Sequence, residues 1–471
     1  MRRFRLFDYS LLFVLTIVPT AKAQRFTVTT IPSPPNATFL AAYGINQLGA
    51  VTGEVDFGSD TCAFLYADNH VKPICSLVNG QGGAAGGIND FRQIAGGSDN
   101  HGFIYSKGAV TEIGLLPQGT FSGVGPINNY GQATGQADTD PNPYQGNAGR
   151  SHAILYSDGK LMDLGVLAAH QQTYGVGINN LGQVTGWGTV PTTSGPYGLT
   201  YHAFLYSDGK LMDIGGQPGW FSSGGTAIND FSQVLGLFAT PEFVGHTFLY
   251  KDGKAEDLGT QILPSALNNF ADIVGTDNIV SPYGSVSAAL YSDGVVQDLN
   301  TLVPAGTPFY IESALGINDS GQIIGAGVTA DGSSPAYILT PICDRRKYSI
   351  SESDLKKNRH WCLAAKGIRI VPPDATFGDV EVGTTSQSIT VTGTNTSGQP
   401  IVFRGAAGIR HFNLDAGTCH LKDGRDGLAP GDSCTFTVNF SPTRTGEYMG
   451  RIWLSTSAGL VDFHLSGTGT D

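Results

Sequence analysis

The chain has 471 residues, of which 65 are glycine, 24 proline and only 4 methionine, and its formal net charge is −12 at pH 7. Glycine in that proportion suits turn-dense sheet rather than helices. The acidic balance excludes nucleic acid and anionic lipid as partners of the main body, because both are gripped by basic patches.

Residues 1–23 carry a basic head (Arg2, Arg3, Arg5), an apolar stretch at 11–18 and Ala21-Lys22-Ala23 ahead of Gln24. That apolar core is too short to cross a bilayer comfortably, so the pattern predicts a cleaved signal peptide and an exported chain. Arg2-Arg3 alone is a weak sign of twin-arginine export, and ordinary secretory export is the simpler reading. No later segment is long and apolar enough for a transmembrane helix, which leaves a released, periplasmic or surface-held protein.

From 24 to 342 one pattern recurs seven times: Ile/Leu-Asn-x-x-Gly-Gln-Val/Ile-x-Gly, then His-Ala-Phe-Leu-Tyr-x-Asp-Gly, then a short segment near Asp-Leu-Gly. The first landmark starts at Ile45, Ile88, Ile127, Ile178, Ile228, Leu267 and Ile317, and the second falls at Phe64, Phe103, Ile154, Phe204, Phe248, Ala289 and Tyr337. A repeat of this length marks a solenoid, propeller or array. Within 227–259, apolar runs separated by turn chemistry predict four short antiparallel strands, a to d, at 227–229, 233–236, 247–250 and 255–258. Asn179-Asn180-Leu181-Gly182 reads as a type I turn with a bulge, and Ser207-Asp208-Gly209-Lys210 as a two-residue type I′ hairpin. Seven such meanders predict an all-β, seven-bladed β-propeller. The seventh unit has strands a, b and c at 314–339 but no d, while an orphan strand at 26–31 precedes the first unit. If the orphan completes the last blade, the ring closes without an open edge. An irregular β-solenoid, the competing architecture, has no use for that arrangement.

Six cysteines in an exported chain imply disulfides. With Asp68-Asn69 as the two-residue turn of the first unit, Cys62 and Cys75 face each other at a non-hydrogen-bonded pair, where a disulfide can form. Cys343 with Cys362 and Cys419 with Cys434 follow as local pairs, each closing a loop of about 15 to 20 residues and worth about 3 kcal/mol. Metal-ligating thiolates are the alternative, and no Cys-x-x-Cys or nearby Cys-His set supports them.

The recurring His101, His152, His202 and His246 start strand c in four different units, too far apart around a ring to converge on a metal. A structural hydrogen bond from each imidazole to the backbone of the adjacent blade is expected, and Asp163, Asp213, Asp257 and Asp298 are expected to mark strand-end turns. Asp138-x-Asp140-x-Asn142 copies the first three ligand positions of a calcium loop, but Pro143 replaces the central glycine and Gly149 the bidentate glutamate, so an ordinary polar loop competes with it. No cofactor is expected.

The a–b and c–d turns emerge on one face of such a propeller and are short throughout, whereas the b–c and d–a loops on the other face are long at 137–150, 165–174, 188–200, 215–223 and 237–245. These loops carry Tyr144, Trp187, Tyr197, Tyr201, Trp220, Phe221, Phe238 and Phe243, with Tyr174 and His170 nearby. Loops on a rigid scaffold are where binding usually sits, and flat aromatics suit stacking on sugar rings or burial in a protein partner. Phe39, Phe121, Tyr174, Phe221 and Tyr310 recur just before strand a, as packing residues would. Tyr144, Trp187, Tyr197 and Trp220 follow no repeat register and are the ligand-binding candidates.

After the last unit, 343–373 holds eight Lys or Arg against three acids, whereas 24–342 holds nine basic against twenty-five acidic residues. A basic, disulfide-pinned linker is expected there, with docking on an acidic surface as the alternative. From 374 to 471 the repeat is replaced by alternating segments at 387–391, 401–403, 435–440, 451–455 and 461–465, which predict an immunoglobulin-like β-sandwich.

Phe377-Gly-Asp-Val-Glu-Val-Gly383, Leu428-Ala-Pro-Gly-Asp-Ser-Cys434 and Leu465-Ser-Gly-Thr-Gly469 resemble the choice-of-anchor D family, related to the immunoglobulin-like domains of abnormal-spindle and hydin type. The triplet His202-Ala203-Phe204, loosened in His152-Ala153-Ile154 and His246-Thr247-Phe248, resembles the HAF family of extracellular repeats over 40–340. That resemblance implies a secreted bacterial protein and carries no activity with it. Cys62, Ser287 and Pro335 depart from the histidine position, which argues against seven equivalent His-lined sites.

A secreted or cell-surface binding protein, taking a polysaccharide or a surface protein on its long-loop face, is therefore expected. A propeller polysaccharide hydrolase or lyase is the alternative. It needs two carboxylates about 5 to 9.5 Å apart, drawn from Asp138, Asp140, Asp277, Glu242 and Glu312. A purely structural envelope role is the third reading.

Overall fold

The computed structural model describes residues 25–80, 82–140, 151–169, 171–193, 198–277, 286–342, 368–372, 374–396, 400–407, 411–419, 427–456 and 459–471. The expected signal peptide at 1–23, Asn142, Tyr144, His170, Tyr197, Cys343, Cys362 and most of the 343–373 segment lie outside the described residues.

Turn chemistry cuts the repeats into short strands. In the c–d turns two consecutive residues take positive φ, as at Asp208 (51°) and Gly209 (75°) or Asp252 (51°) and Gly253 (77°), the type I′ geometry whose twist matches the flanking strands. In the a–b turns the leading asparagine folds back on its own backbone: Asn179 Oδ1 accepts from the N–H groups of Leu181 and Gln183 at 3.1 and 3.0 Å. The fourth turn residue is left-handed, whether glycine (Gly182, φ 75°) or not (Arg92, 58°; Ser232, 59°; Ala271, 62°).

The result is all-β, with nine four-stranded sheets among the described residues. Seven come from 25–342. The fourth of these runs Thr173–Ile178 (a), Val184–Pro191 (b), Leu199–Ser207 (c) and Lys210–Asp213 (d), each strand antiparallel to the next. The last repeat supplies Tyr310–Ile317, Ile323–Val328 and Ala336–Pro341. The fourth strand of that sheet is Phe26–Thr30, antiparallel to Ala336–Pro341, with Phe26 opposite Pro341 and Thr30 opposite Tyr337.

The invariant glycine of strand b has a steric origin. Strand a carries a bulge in every repeat, as between Gly175 and Gly177, and a Cβ on Gly186 would run into the Tyr174 carbonyl oxygen. The same clash with strand a recurs at Gly53, Gly96, Gly135, Gly236, Gly275 and Gly325. Phe64, Phe103, Phe204, Phe248 and Tyr337 of strand c are fully buried, each worth about 1.5 to 3 kcal/mol of burial.

Cores form between neighbouring sheets. Ala203, Leu205 and Ile214 of the fourth sheet pack with Val234, Phe238 and Phe248 of the fifth, and Ile324 and Ile338 of the last with Leu40, Val51 and Phe64 of the first. Successive sheets packed face to face around an axis make a β-propeller.

At the axis, Nδ2 of Asn46 donates to the carbonyl of Asn89, and so on through Asn128, Asn179, Asn229, Asn268 and Asn318, which donates back to Asn46, at 2.9 to 3.3 Å. The next residue in each turn forms a second ring, in which the side chain of Asp90 accepts from the N–H of Gln47, Asn129 from Asp90, Asn180 from Asn129, Asp230 from Asn180, Asn269 from Asp230, Asp319 from Asn269 and Gln47 from Asp319.

Beyond the propeller lie two further sheets. Ile368–Val371, Ile389–Asn395, Ser433–Phe440 and Phe412–Asp415 form one, and Asp374–Glu381, Gly459–Thr470, Gly446–Thr456 and Phe403–Ala407 the other. They share a core of Phe403, Phe412, Phe436, Phe440 and Phe463 that also encloses the Cys419–Cys434 disulfide. This unit touches the short-turn side of the propeller, where Arg444 Nε pairs with Asp158 at 3.0 Å and His411 meets the Tyr130 ring edge-on.

Candidate functional site

The repeated histidines have a different partner from the one expected. Instead of reaching the adjacent blade's backbone, Nδ1 of His152, His202 and His246 meets Asp163, Asp213 and Asp257 of its own sheet at 2.7, 2.8 and 3.0 Å. His101 Nε2 faces Glu112 at 3.5 Å. Each pair ties the outermost strand d to strand c, and the constant separation of eleven residues was the sequence signal for it. At two of the three positions where the histidine is lost, other chemistry does the same: Ser287 donates to Asp298 at 2.9 Å, and Cys62 is bonded to Cys75 with Cα atoms 4.4 Å apart. Burial raises the Asp163 and Asp213 carboxyls, but the histidine bond and the N–H groups of Gly165 and Gly215 outweigh it and hold both below the usual carboxylate range.

The loop carboxylates come from the third, fifth, sixth and last repeats, with Asp138 and Asp140 together in the third. Asp138 accepts from the Thr120 N–H, the Thr120 hydroxyl and the Phe121 N–H at 2.6 to 2.8 Å, so it holds the loop before strand a of its own sheet. Glu242 is exposed in the b–c loop of the fifth repeat, Glu312 half-buried in the last sheet, and Asp277 buried in the sixth beside Ser287 and Tyr310. Among the described residues no group of three or more His, Cys, Asp or Glu is placed to hold a metal.

On the short-turn side the second ring lines an axial cavity of ≈ 160 Å³. Burial, followed by the charges of Asp230 and Asp90, pushes Asp319 up to about 7 against hydrogen bonds from Asn269. Burial likewise raises Asp230. Sequence reading passed over these residues because they vary between Asp, Asn and Gln.

The long-loop side carries an apolar groove of ≈ 490 Å³ over the end of the fifth sheet. Trp187 and Tyr201 of the fourth sheet, Ser222, Gly224 and Phe238 of the fifth and Leu263 of the sixth line it, and among the described residues no charged side chain does. The Trp187 indole stacks on Tyr174 with centroids 4.0 Å apart and planes at 23°, and meets Tyr201 edge-on at 5.3 Å and 86°. Tyr174, expected as a packing residue, thus backs this wall. Around the groove, Tyr201, Phe243, Val244 and Leu263 are exposed. Trp220 is placed otherwise: it stacks on Phe238 at 4.2 Å and 6° and packs against Phe248, at the edge of the core.

No protein-family model matches the chain, and no curated protein matches its sequence. Among solved structures it is similar to the β-propeller domain of the trilobed protease from Pyrococcus furiosus, at 9% identity over 67% of this chain and 94% of that one, with a TM-score of 0.40. It is also similar to the BP39L lectin from Burkholderia pseudomallei, at 12% identity over 68% and 99% with a TM-score of 0.34. The ASH/PapD-like domain of human CEP192 matches 22% of this chain over 86% of its own length, at 14% identity and a TM-score of 0.17.

Proposed function

We propose that this is an exported binding protein, acting at the cell surface or beyond it, whose propeller takes a glycan or a protein partner on its long-loop face. On this reading the repeats are of the HAF type, the Phe26–Thr30 strand closes a seven-bladed ring, and the C-terminal unit is an immunoglobulin-like, choice-of-anchor D domain that serves as spacer or surface contact. The two disulfides support export, since such bonds persist in oxidising compartments. Among the described residues no helix is long and apolar enough to cross a membrane.

The observation that carries the reading is the uncharged groove walled by Trp187 and Tyr201, a concave apolar site on a rigid scaffold. The experiment is retention of the purified exported protein on insoluble and soluble polysaccharides and on cell envelopes, with released reducing sugar followed in parallel. Retention without release, lost in Trp187→Ala, is expected. Retention indifferent to Trp187→Ala would remove the site, and sugar release would make the protein a hydrolase or lyase.

A further inference from the structure

The seven sheets offer seven equivalent places for a groove, and they are not filled alike. One residue beyond the clash glycine, strand b carries Glu54, Gly97, Gln136, Trp187, Leu237, Thr276 and Ala326 in turn. Opposite them, strand a carries Ala41, Ala84, Gly123, Tyr174, Gly224, Leu263 and Ser313. The fourth pair alone is aromatic on both strands. Its indole faces strand a of the fifth sheet, where Gly224 leaves the space in front open: an added Cβ would already touch the Trp187 side chain at 3.5 Å.

We infer that this groove binds one neutral glycan per chain, with the apolar face of a pyranose ring laid into the corner between Trp187 and Tyr201. The inference rests on the groove being the binding site proposed above. Tyr174 covers one face of the indole and fixes its rotamer, so the aromatic wall is set before any ligand arrives. Tyr201, 52% exposed and perpendicular to the indole, adds a second surface, and two flat surfaces at a right angle grip a ring with an apolar face and polar edges. The polar side chains within reach are the hydroxyls of Tyr201 and Ser222, which exchange hydrogen bonds with sugar hydroxyls without ionic preference, whereas the buried Ser223 hydroxyl is held between the Ala203 N–H and the Gly215 carbonyl.

Charge selects the class of glycan. Among the described residues the lining has no cation to pair a carboxylate or sulfate, and the surrounding 24–342 region is strongly acidic, so an anionic polymer is repelled. Size selects glycan over protein, because the volume falls in the range of small-ligand pockets, about 300 to 1,000 Å³, whereas a protein contact needs an extended complementary surface.

The test is calorimetric titration of the full exported chain with neutral oligosaccharides (cello-, laminari-, xylo- and chito-oligosaccharides) and with an oligogalacturonate of equal length. One site per chain is expected, for a neutral series, at an affinity unchanged between low and high salt. Tyr201→Ala, on a half-exposed side chain, should weaken binding about tenfold or more without moving the melting temperature, and Trp187→Phe should retain weaker binding. Several sites per chain, preference for the galacturonate, or glycan binding intact in Tyr201→Ala and Trp187→Phe alike would overturn the inference and leave the exported binding protein standing. Trp187-dependent capture of an envelope protein with no glycan bound would overturn it while upholding the groove. Binding of nothing in a Trp187-dependent manner would overturn both.

Discussion

At the short-turn end of the propeller, seven asparagines use the same amide in the same way: Oδ1 holds the asparagine's own turn and Nδ2 reaches the neighbouring sheet. At the long-loop end, seven equivalent strand positions range from Glu54 through Gly97 to Trp187. The strands are the same, so the difference reflects what each end is required to do. A hydrogen bond between successive sheets works only if both neighbours conform, and one deviant turn leaves two buried groups unpaired. The long-loop end has no such mutual requirement, so its residues are free to differ from sheet to sheet, and a groove unique to one cleft becomes possible.

The sharpest way to break this contrast is to exchange the expected phenotypes of its two ends. Asn179→Ala deprives the Leu181 and Gln183 N–H groups, the Gln183 amide oxygen and the Asn229 carbonyl of a partner, which should lower stability by about 3 kcal/mol. Urea unfolding monitored by tryptophan fluorescence measures it, and the groove's ligand should still be retained at low denaturant. Trp187→Ala should do the reverse, losing retention with a smaller change in stability. A loss for Asn179→Ala within about 0.5 kcal/mol, the level of an ordinary surface substitution, would mean that the asparagine ring does not hold the sheets together.

The same contrast explains what could be read from the sequence. The asparagine, the clash glycine and the buried strand-c phenylalanine recur because each is fixed by a neighbour at hydrogen-bond or van der Waals range, so the propeller class and the four-stranded units were legible. Cys62–Cys75 was legible for a related reason, since a two-residue turn fixes which residues oppose each other. The groove was legible only in part. Trp187 stood out by breaking the repeat register, but Trp220 stood out for the same reason and packs on Phe238 at the core edge. Irregularity in a repeat marks a residue as special without saying whether it faces a ligand or a neighbouring ring. The histidine pairs were missed because two regular recurrences, His and Asp, were read separately rather than at their fixed separation.

Acid titration sharpens the comparison between axis and periphery. Asp319, raised to about 7 by burial and its neighbours, favours the folded protein while protonated. Its contribution is fully present below the ordinary carboxylate pKa of about 4 and is lost as pH rises through about 7. Asp163 and Asp213 are lowered, so their contribution is present above about 4 and is lost as pH falls below it. The melting temperature should therefore be highest in mildly acidic solution, falling towards neutrality through the axis and at stronger acid through the strand-c to strand-d pairs. Asp319→Asn should flatten the neutral arm and leave the acid arm alone. An unchanged neutral arm in that variant would show that another group titrates there.

The smallest effect concerns departures from the motif at the conforming end itself. Ala271 occupies the turn position with φ 62° that Gly182 and Gly321 fill at 75° and 70°. A side chain there meets the Cβ penalty of the left-handed region, about 1 to 2 kcal/mol, while glycine returns about 0.5 to 1 kcal/mol of that through its freer unfolded chain. Ala271→Gly should therefore stabilise by about 0.5 to 1 kcal/mol, reduced by the methyl's packing against the cluster of Leu235, Leu249 and Ile273. Gly182→Ala, at a turn of the same type, should destabilise by a similar amount. Denaturant midpoints at constant slope would measure both. Opposite signs for the two substitutions would show that the turn conformation is imposed by the asparagine ring whatever residue occupies it. If Ala271→Gly proved destabilising, packing would outweigh backbone strain at this turn, and alanine would be the better residue there.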